Sequence, residues 1–245
     1  MEQLRAARRD GLDTLRGVTL ISMMVYHACW DLVYLFGHDW AWYRSFGAYV
    51  WQQSICWTFI LLSGYCFSLG RRHLRRGLMT LGGGAAVSLA SQLSGAPIYW
   101  GVLTFLGTAT LLTIPLDRLL RRVPARAGLA GSFCLFWLAR DVNDGYLGFE
   151  GSRLLTLPPE LYQNTLTAFL GFPGPVFVSA DYFPLLPWLF LFWTGYFLSR
   201  LPPLEDHREL RLPLVTALGR RSLLVYLLHQ PLIFGGLWLL SSFGN

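Results

Sequence analysis

The chain has 245 residues, 53% of them hydrophobic, and a mean hydropathy of +0.41. This composition is too apolar for an ordinary soluble domain, and the short, strictly alternating segments of a membrane β-barrel are not seen. The formal net charge is +6, and all twenty basic residues are arginine. Because the arginines lie beside apolar runs, we interpret them as membrane-flanking residues and exclude nucleic acid as a partner.

Seven apolar runs predict helices that reach or approach the length needed to cross the ~30 Å hydrocarbon core of a bilayer. A helix satisfies its own backbone hydrogen bonds in lipid, so the predicted fold is an all-α, polytopic membrane bundle. In chain order the predicted spans cover residues 17–36, 49–69, 77–93, 98–116, 127–139, 182–199 and 222–240. We expect one transmembrane domain over residues 1–245.

Arginine clusters set the predicted orientation of the spans, because positively charged loops stay in the cytoplasm. Most arginines fall in four clusters, at residues 5–16, 71–76, 118–126 and 200–221. Only Arg44, Arg140 and Arg153 lie elsewhere. The pattern predicts a cytoplasmic N-terminus and an outer C-terminus.

The predicted outer segment at residues 140–180 is unusually long for a connection, and such segments are often functional. Within it, "LPPELYQNTLTAFLGF" predicts a short interfacial helix that begins at Pro158 and Pro159. The chain shows no internal repeat, which argues against a transporter built from inverted repeats.

Two ionisable residues, His27 and Asp31, lie inside the first predicted span, in "MMVYHACWDL". They are one helical turn apart and share a face. His27 lies ~16 Å along the helix from Arg16, near mid-membrane. Charge at that depth costs several kcal/mol, so such residues usually face a cavity or a partner. The pattern indicates a histidine oriented by Asp31 that acts as base or nucleophile; the alternative is a structural hydrogen-bonded pair.

The last predicted span contains "LVYLLHQPL", in which His229 and Gln230 precede Pro231. A proline frees a backbone carbonyl and bends a helix, so a polar pair beside it suggests a cavity wall. The alternative reading of His229 is a packing histidine whose hydrogen bonds Gln230 shares.

Three more residues are candidates at the ends of spans. Arg16 lies at the inner end of the first span, where it binds a phosphate or anchors the topology. Asp181, before the sixth span, grips a polar acceptor or caps that helix. His38 follows the first span and has the features of a solvated loop histidine. The five histidines show no zinc spacing, so no metal site is expected.

Four elements together resemble a known family. They are "GLDTLRGVTLISMMVYHACWDL", "FILLSGYCFS", "SADYFPLLPWLFLFWTGYFLSR" and "LGRRSLLVYLLHQPL", in this order. They are similar to bacterial relatives of heparan-alpha-glucosaminide N-acetyltransferase, in its catalytic-domain family. The resemblance covers essentially the whole chain.

The resemblance implies an N- or O-acetyltransferase of the bacterial inner membrane, surrounded by lipid. Acetyl-CoA on the cytoplasmic side would donate the acetyl group to an amine or hydroxyl, usually of a sugar, on the far side. Transfer would be direct or would pass through an acyl-histidine, and a homodimer is one option for assembly. The implied site has His27 and Asp31 as catalytic residues, Arg16 and His229 at the cofactor, and Asp181, Gln230 and His38 at the substrate. His38 is also the alternative reacting histidine.

Two other function classes fit parts of the pattern. A proton-coupled carrier of a polar solute or lipid would use His27, Asp31 and His229 as a proton relay, and would move solute with no acyl donor. A haem-binding electron carrier would use His27 and His229 as axial ligands, and would be a red protein.

Overall fold

The fold is that of a computed structural model, which describes residues 2–93, 96–202 and 212–243, with side chains from Asp10 onward. Five arginines of the predicted clusters lie outside the described side chains: Arg5, Arg8, Arg9, Arg208 and Arg211.

Helices make up most of the described chain, which confirms the helical prediction, and a helix occupies each of the seven places where a span is predicted. In chain order the helices are α1 (Glu2–Tyr34), α2 (Phe46–Leu69), α3 (His73–Leu93), α4 (Val102–Leu120), α5 (Ala125–Leu138), α6 (Thr165–Leu170), α7 (Leu185–Leu198), α8 (Pro213–Arg220) and α9 (Ser222–Phe243).

Two of the described helices, α4 and α9, are long and apolar enough to cross a membrane by length and composition. Helices α5 and α7 are apolar but shorter. The apolar run of α1 contains His27 and Asp31, which lower its hydropathy. Seven membrane crossings and a cytoplasmic N-terminus therefore stay predictions.

The described chain groups into two compact units. The first comprises Met1–Phe59 and Leu204–Asn245, and in it α1 packs against both α8 and α9. Apolar side chains of α1 and α2 form part of its core, which contains Leu20, Met23 and Ile55.

The contact between α1 and α8 is made by glycines. A Cβ atom on Gly17 would overlap the carbonyl oxygen of Val215, and one on Gly219 would overlap that of Asp13. Without side chains at these two positions the helix backbones touch. Helix α8 is absent from the predicted elements because its eight residues are too few to show a clear helical period.

The second unit is Ile60–Pro203. In it α3 packs against α4 and α5 against α7, and the C-terminal part of α2 also belongs to it. Its most buried side chains include aromatic rings: Phe105, Phe136, Phe192 and Tyr196.

The predicted outer segment contains an element that the sequence did not predict, an antiparallel hairpin of β1 (Tyr146–Phe149) and β2 (Ser152–Thr156) in an otherwise mostly helical described chain. The two turn residues, Glu150 at φ 49° and Gly151 at φ 91°, have the positive angles that tight hairpins favour. Every residue of β2 is exposed, so the strand lacks the alternation by which it would be recognised.

The short helix predicted in this segment also begins later than expected. Pro159–Leu161 form a single 3₁₀ turn, and α6 starts at Thr165. Asn164 caps it, because its side-chain oxygen accepts hydrogen bonds from the backbone N–H groups of Leu166 (2.9 Å) and Thr167 (3.1 Å).

Candidate active site

Four predicted site residues meet where α1 packs against α9 in the first unit. The ring centroids of His27 and His229 are 4.9 Å apart, at an interplanar angle of 60°. One turn away, Gln230 Nε2 donates a hydrogen bond of 2.7 Å to Asp31 Oδ1. His229 is the buried residue of α9, whose apolar side chains are largely exposed. A helix that buries a histidine in place of its leucines has a polar contact face.

The sequence predicted that Asp31 orients His27, and the structure shows that it does not. The Asp31 side chain is fully buried, and its Oδ1 accepts the hydrogen bond from Gln230 on the facing helix. The ring of His27 makes no hydrogen bond to a described residue. Asp31 and His27 lie near each other on one face of α1, but the Asp31 carboxylate accepts its hydrogen bond from the Gln230 amide of α9.

The histidine with an orienting hydrogen bond is His229. Its Nδ1 lies 2.5 Å from the carbonyl oxygen of Tyr226. A carbonyl oxygen can only accept, so Nδ1 carries the hydrogen, and Nε2 of the neutral ring carries the lone pair. Neutral His229 therefore presents a hydrogen-bond acceptor to its surroundings.

Three buried polar atoms of this cluster have no hydrogen-bond partner among the described residues: Asp31 Oδ2, His229 Nε2 and Gln230 Oε1. Leaving such an atom unpaired costs about 1–3 kcal/mol, so each calls for a ligand or an ordered water. All three accept hydrogen bonds. They fit a ligand group that donates hydrogen bonds, such as an amine or a hydroxyl, and they do not fit an oxyanion.

Aromatic side chains form one wall beside His27. The Tyr26 ring contacts His27 edge-on at 6.2 Å, and Trp51 and Tyr43 pack against Tyr26 at 5.2 and 5.1 Å. Trp51 is itself fixed, because its Nε1 donates to Ser22 Oγ at 2.8 Å. The wall gives the histidine pair apolar surroundings, in which hydrogen bonds and charge interactions are stronger than in water.

Arg16 lies in a charged cluster on the side of α1 that faces α8. It pairs with Asp13 at 2.8 Å, and Arg220 pairs with Asp10 at 2.5 Å and with Asp13 at 3.4 Å. An incoming phosphate would compete with Asp13 for Arg16. Arg220 and Asp10 are not among the predicted site residues, because "GRRS" indicates a basic patch but not which carboxylates face it.

His38 and Asp181 lie apart from this cluster. His38 is exposed in the connection after α1 and stacks on Trp40, with ring centroids 5.8 Å apart and an interplanar angle of 23°. Asp181 belongs to the second unit, where its Oδ2 accepts a 2.9 Å hydrogen bond from Val102 N–H. Asp181 therefore caps α4 and not the helix of the sixth predicted span, α7, whose N-cap residue is Pro184. Burial raises the pKa of Asp181 to about 6, and the hydrogen bond from Val102 opposes this rise.

A family model described as "Heparan-alpha-glucosaminide N-acetyltransferase, catalytic" matches residues 8–231 of the chain. The chain belongs to this family. The match runs from residue 8, within α1, to Pro231 and so includes both histidines of the pair. No curated protein and no solved structure matched the chain.

Membership of the heparan-alpha-glucosaminide N-acetyltransferase family makes acetyl transfer at a membrane the activity that the site must explain. Acetyl transfer to an amine or a hydroxyl needs a group that removes a proton from the attacking atom. In the first unit, the histidine pair with its three unpaired acceptors provides such groups.

Proposed function

We propose that this protein transfers an acetyl group from cytoplasmic acetyl-CoA to an amine or hydroxyl of a sugar on the outer side of a bacterial inner membrane. The observation that carries the proposal is the convergence of the His27–His229 pair with three buried, unpaired acceptor atoms. Acetyl-CoA supplies a thioester, which is already reactive, so the protein has to position the acceptor and take its proton.

The acceptor group sits against the unpaired atoms. An attacking amine or hydroxyl directs one hydrogen to His27, and the acceptor's remaining N–H or neighbouring O–H groups donate hydrogen bonds to Asp31 Oδ2 and Gln230 Oε1, which orients the attacking lone pair. Gln230 is well suited to this task, because its Nε2 is already held by Asp31. The two side chains thus work as one unit, in which each fixes the other.

His27 is the first proton acceptor in this scheme, because it is half-buried and His229 is only 6% exposed. The acceptor atom forms its bond to the acetyl carbon, the C–S bond breaks, and the proton passes through His27 to the departing thiolate. Two charged rings 4.9 Å apart would repel by ~3 kcal/mol at an effective dielectric constant of 20. His229 therefore stays neutral while His27 holds the proton. The Nε2 atom of His229 remains a hydrogen-bond acceptor beside it.

Arginines near the predicted inner ends of the spans supply positive charge for the anionic donor, Arg16 among them. In the predicted orientation Asp181 lies on the outer side and belongs to the part of the chain that meets the acceptor. The exposed leucines of α9, such as Leu232 and Leu240, would face membrane lipids.

The experiment that tests the proposal uses purified protein in vesicles with acetyl-CoA and a panel of amino sugars, and follows release of the CoA thiol. We expect acceptor-dependent release that collapses in His27→Ala and is retained in His38→Ala, with the fold of each variant checked by circular dichroism. Loss in His38→Ala alone would move the reaction centre to the outer connection. Solute flux without thiol release would replace the enzyme with a proton-coupled carrier.

A further inference from the structure

Close helix contacts bring three helix ends of the second unit together. A Cβ atom on Gly84 of α3 would overlap Thr104, near the start of α4. A Cβ atom on Gly77, earlier in α3, would overlap Leu111, later in α4. The two helices therefore run antiparallel, and the start of α3 lies beside the end of α4. A connection of four residues, 121–124, then leads to α5, so the start of α5 lies at the same end of the unit.

The end of α7 is fixed to this region by polar contacts. Arg200 Nη1 donates a hydrogen bond of 2.9 Å to the carbonyl of Leu120, and Tyr196 OH donates one of 2.7 Å to Asp117 Oδ1. Asp117 Oδ2 accepts from Arg121 Nε at 2.8 Å. Asp117 is the single acidic residue in the sequences of α3, α4, α5 and α7, and both of its oxygens are used. It therefore neutralises one arginine at this end of the unit.

Exposed arginines cover the same end of the unit, and we call them the arginine face. They lie in or beside the first turn of α3 and around the connection between α4 and α5. Their side chains form no ion pair or hydrogen bond with a described residue: Arg72, Arg75, Arg76, Arg118, Arg122 and Arg126. Like charges that are gathered in one place repel one another, so the arginine face attracts anions.

Exposed leucines adjoin the arginine face. Leu74, which directly precedes Arg75, is 61% exposed, and Leu119, which directly follows Arg118, is 59% exposed. A soluble anion would cover the guanidinium groups and leave these leucines in water, whereas a phospholipid covers both, with its headgroup and its acyl chains. Helix α4 is long and apolar enough to cross a membrane, and Arg118 lies in its last turn. When α4 crosses the membrane, the arginine face is at the depth of the headgroups.

We propose that the arginine face binds the headgroups of anionic phospholipids, with guanidinium groups donating to the phosphate oxygens and the adjoining leucines contacting the acyl chains. A guanidinium has five N–H donors in a planar fork, which matches a phosphate with two parallel hydrogen bonds. A zwitterionic lipid has a cation beside the same phosphate, and this cation opposes the approach of several arginines. The arginine face therefore selects lipids with a net negative charge.

The test is native mass spectrometry of the purified full chain in a nonionic detergent, titrated with phosphatidylglycerol and with phosphatidylcholine of identical acyl chains. The test variant combines Arg75→Gln with Arg122→Gln, whose side chains hold no described residue in place. The matched control combines Arg44→Gln with Arg153→Gln, which removes the same charge from exposed arginines outside the arginine face. We expect wild type to bind phosphatidylglycerol about tenfold or more tightly than phosphatidylcholine. The Kd for phosphatidylglycerol should rise about fivefold for each arginine removed, hence about 25-fold in the test variant, and by less than about twofold in the control.

Equal affinities of wild type for the two lipids, or equal weakening in the test variant and the control, overturn the inference. Two soluble competitors distinguish the sources of the phosphate: glycerol 3-phosphate has no acyl chain, and CoA carries the phosphates of the proposed acetyl donor. Displacement of the lipid by an equal concentration of either competitor also overturns the inference, because the arginine face would then bind a soluble phosphate ester. The inference does not rest on the proposed function, since the arginine face belongs to the second unit and the histidine pair to the first. Selective lipid binding without acetyl transfer would support the inference and contradict the proposed function alone.

Discussion

The carboxylate of Asp31 on α1 accepts its hydrogen bond from Gln230 on α9, and not from His27 one turn away on its own helix. This 2.7 Å bond connects two residues that are 199 positions apart in the chain. It fixes the Gln230 amide at Asp31, one turn from His27, and it leaves His229, oriented by the Tyr226 carbonyl, as the ring with a fixed tautomer.

Replacing His229 by glutamine should lower kcat more than it raises KM. Glutamine keeps a polar side chain but loses the fixed Nε2 acceptor beside His27, and the loss of one hydrogen bond, about 0.5–1.5 kcal/mol, should slow the reaction roughly two- to tenfold. Steady-state thiol release with saturating acetyl-CoA measures both constants. His38→Gln is the control, because His38 stacks on Trp40 in an exposed connection. Equal rates for wild type and His229→Gln would show that the Nε2 atom of His229 does not support the reaction.

The Asp31–Gln230 bond should appear as a coupling energy in a double-mutant cycle. Asp31→Ala and Gln230→Ala each leave a buried polar partner unpaired, so the two changes together should cost less than their sum. We expect a coupling of roughly 1.5–3 kcal/mol, as for a hydrogen bond to a charged group. Unfolding of the purified protein in mixed micelles measures it. A coupling near zero would mean that the two side chains do not bond in the membrane.

Gly219→Ala should destabilise the first unit. A Cβ atom there would overlap the Asp13 carbonyl, so α8 has to move away from α1, and overpacking typically costs about 1–3 kcal/mol. Gly11→Ala is the matched control on α1, because a Cβ atom at Gly11 meets no atom within 4 Å. That change should stabilise the helix by up to ~1 kcal/mol. Thermal unfolding followed by circular dichroism distinguishes the two signs, and equal shifts would contradict the close contact.

Stability should fall as pH rises through the titration of Asp181. Burial raises its pKa from 3.8 to about 6, so between these values the folded protein holds a proton that the unfolded chain has lost. Above pH 6 the carboxylate is charged in both states, and the loss levels off at roughly 3 kcal/mol, from about two pH units at ~1.4 kcal/mol each.

Asp181→Asn should remove this dependence and be more stable than the wild type at pH 7, because an amide oxygen still accepts from Val102 without carrying charge. Unfolding free energies from pH 4 to 7 measure the effect. Glu160→Gln changes an exposed carboxyl in the same unit and serves as the control. A wild-type curve that is flat over this range would show that Asp181 titrates as an ordinary aspartate.

The amino-acid sequence by itself determined the helices and the polar residues inside them. Long apolar runs leave the backbone no better solution in lipid than a helix, so the positions of α1 to α5, α7 and α9 follow from local composition. A histidine and an aspartate within such a run, and a histidine before Pro231, stand out against their apolar neighbours. His27, Asp31 and His229 could be predicted as candidate site residues for that reason.

Only the tertiary structure decided which of these residues meet. Asp31 could bond His27 or a residue of another helix, and the packing of α9 against α1 brought Gln230 to it. Asp181 lies three residues before Pro184, yet it caps α4 through Val102. The glycine contact of α8 also depends on packing between segments that are distant in the chain. The hairpin at Glu150–Gly151 is local, but its short exposed strand carries too little periodic signal to be predicted. A hydrogen bond forms between groups that are close in space, and the separation of two residues along the chain does not predict that closeness.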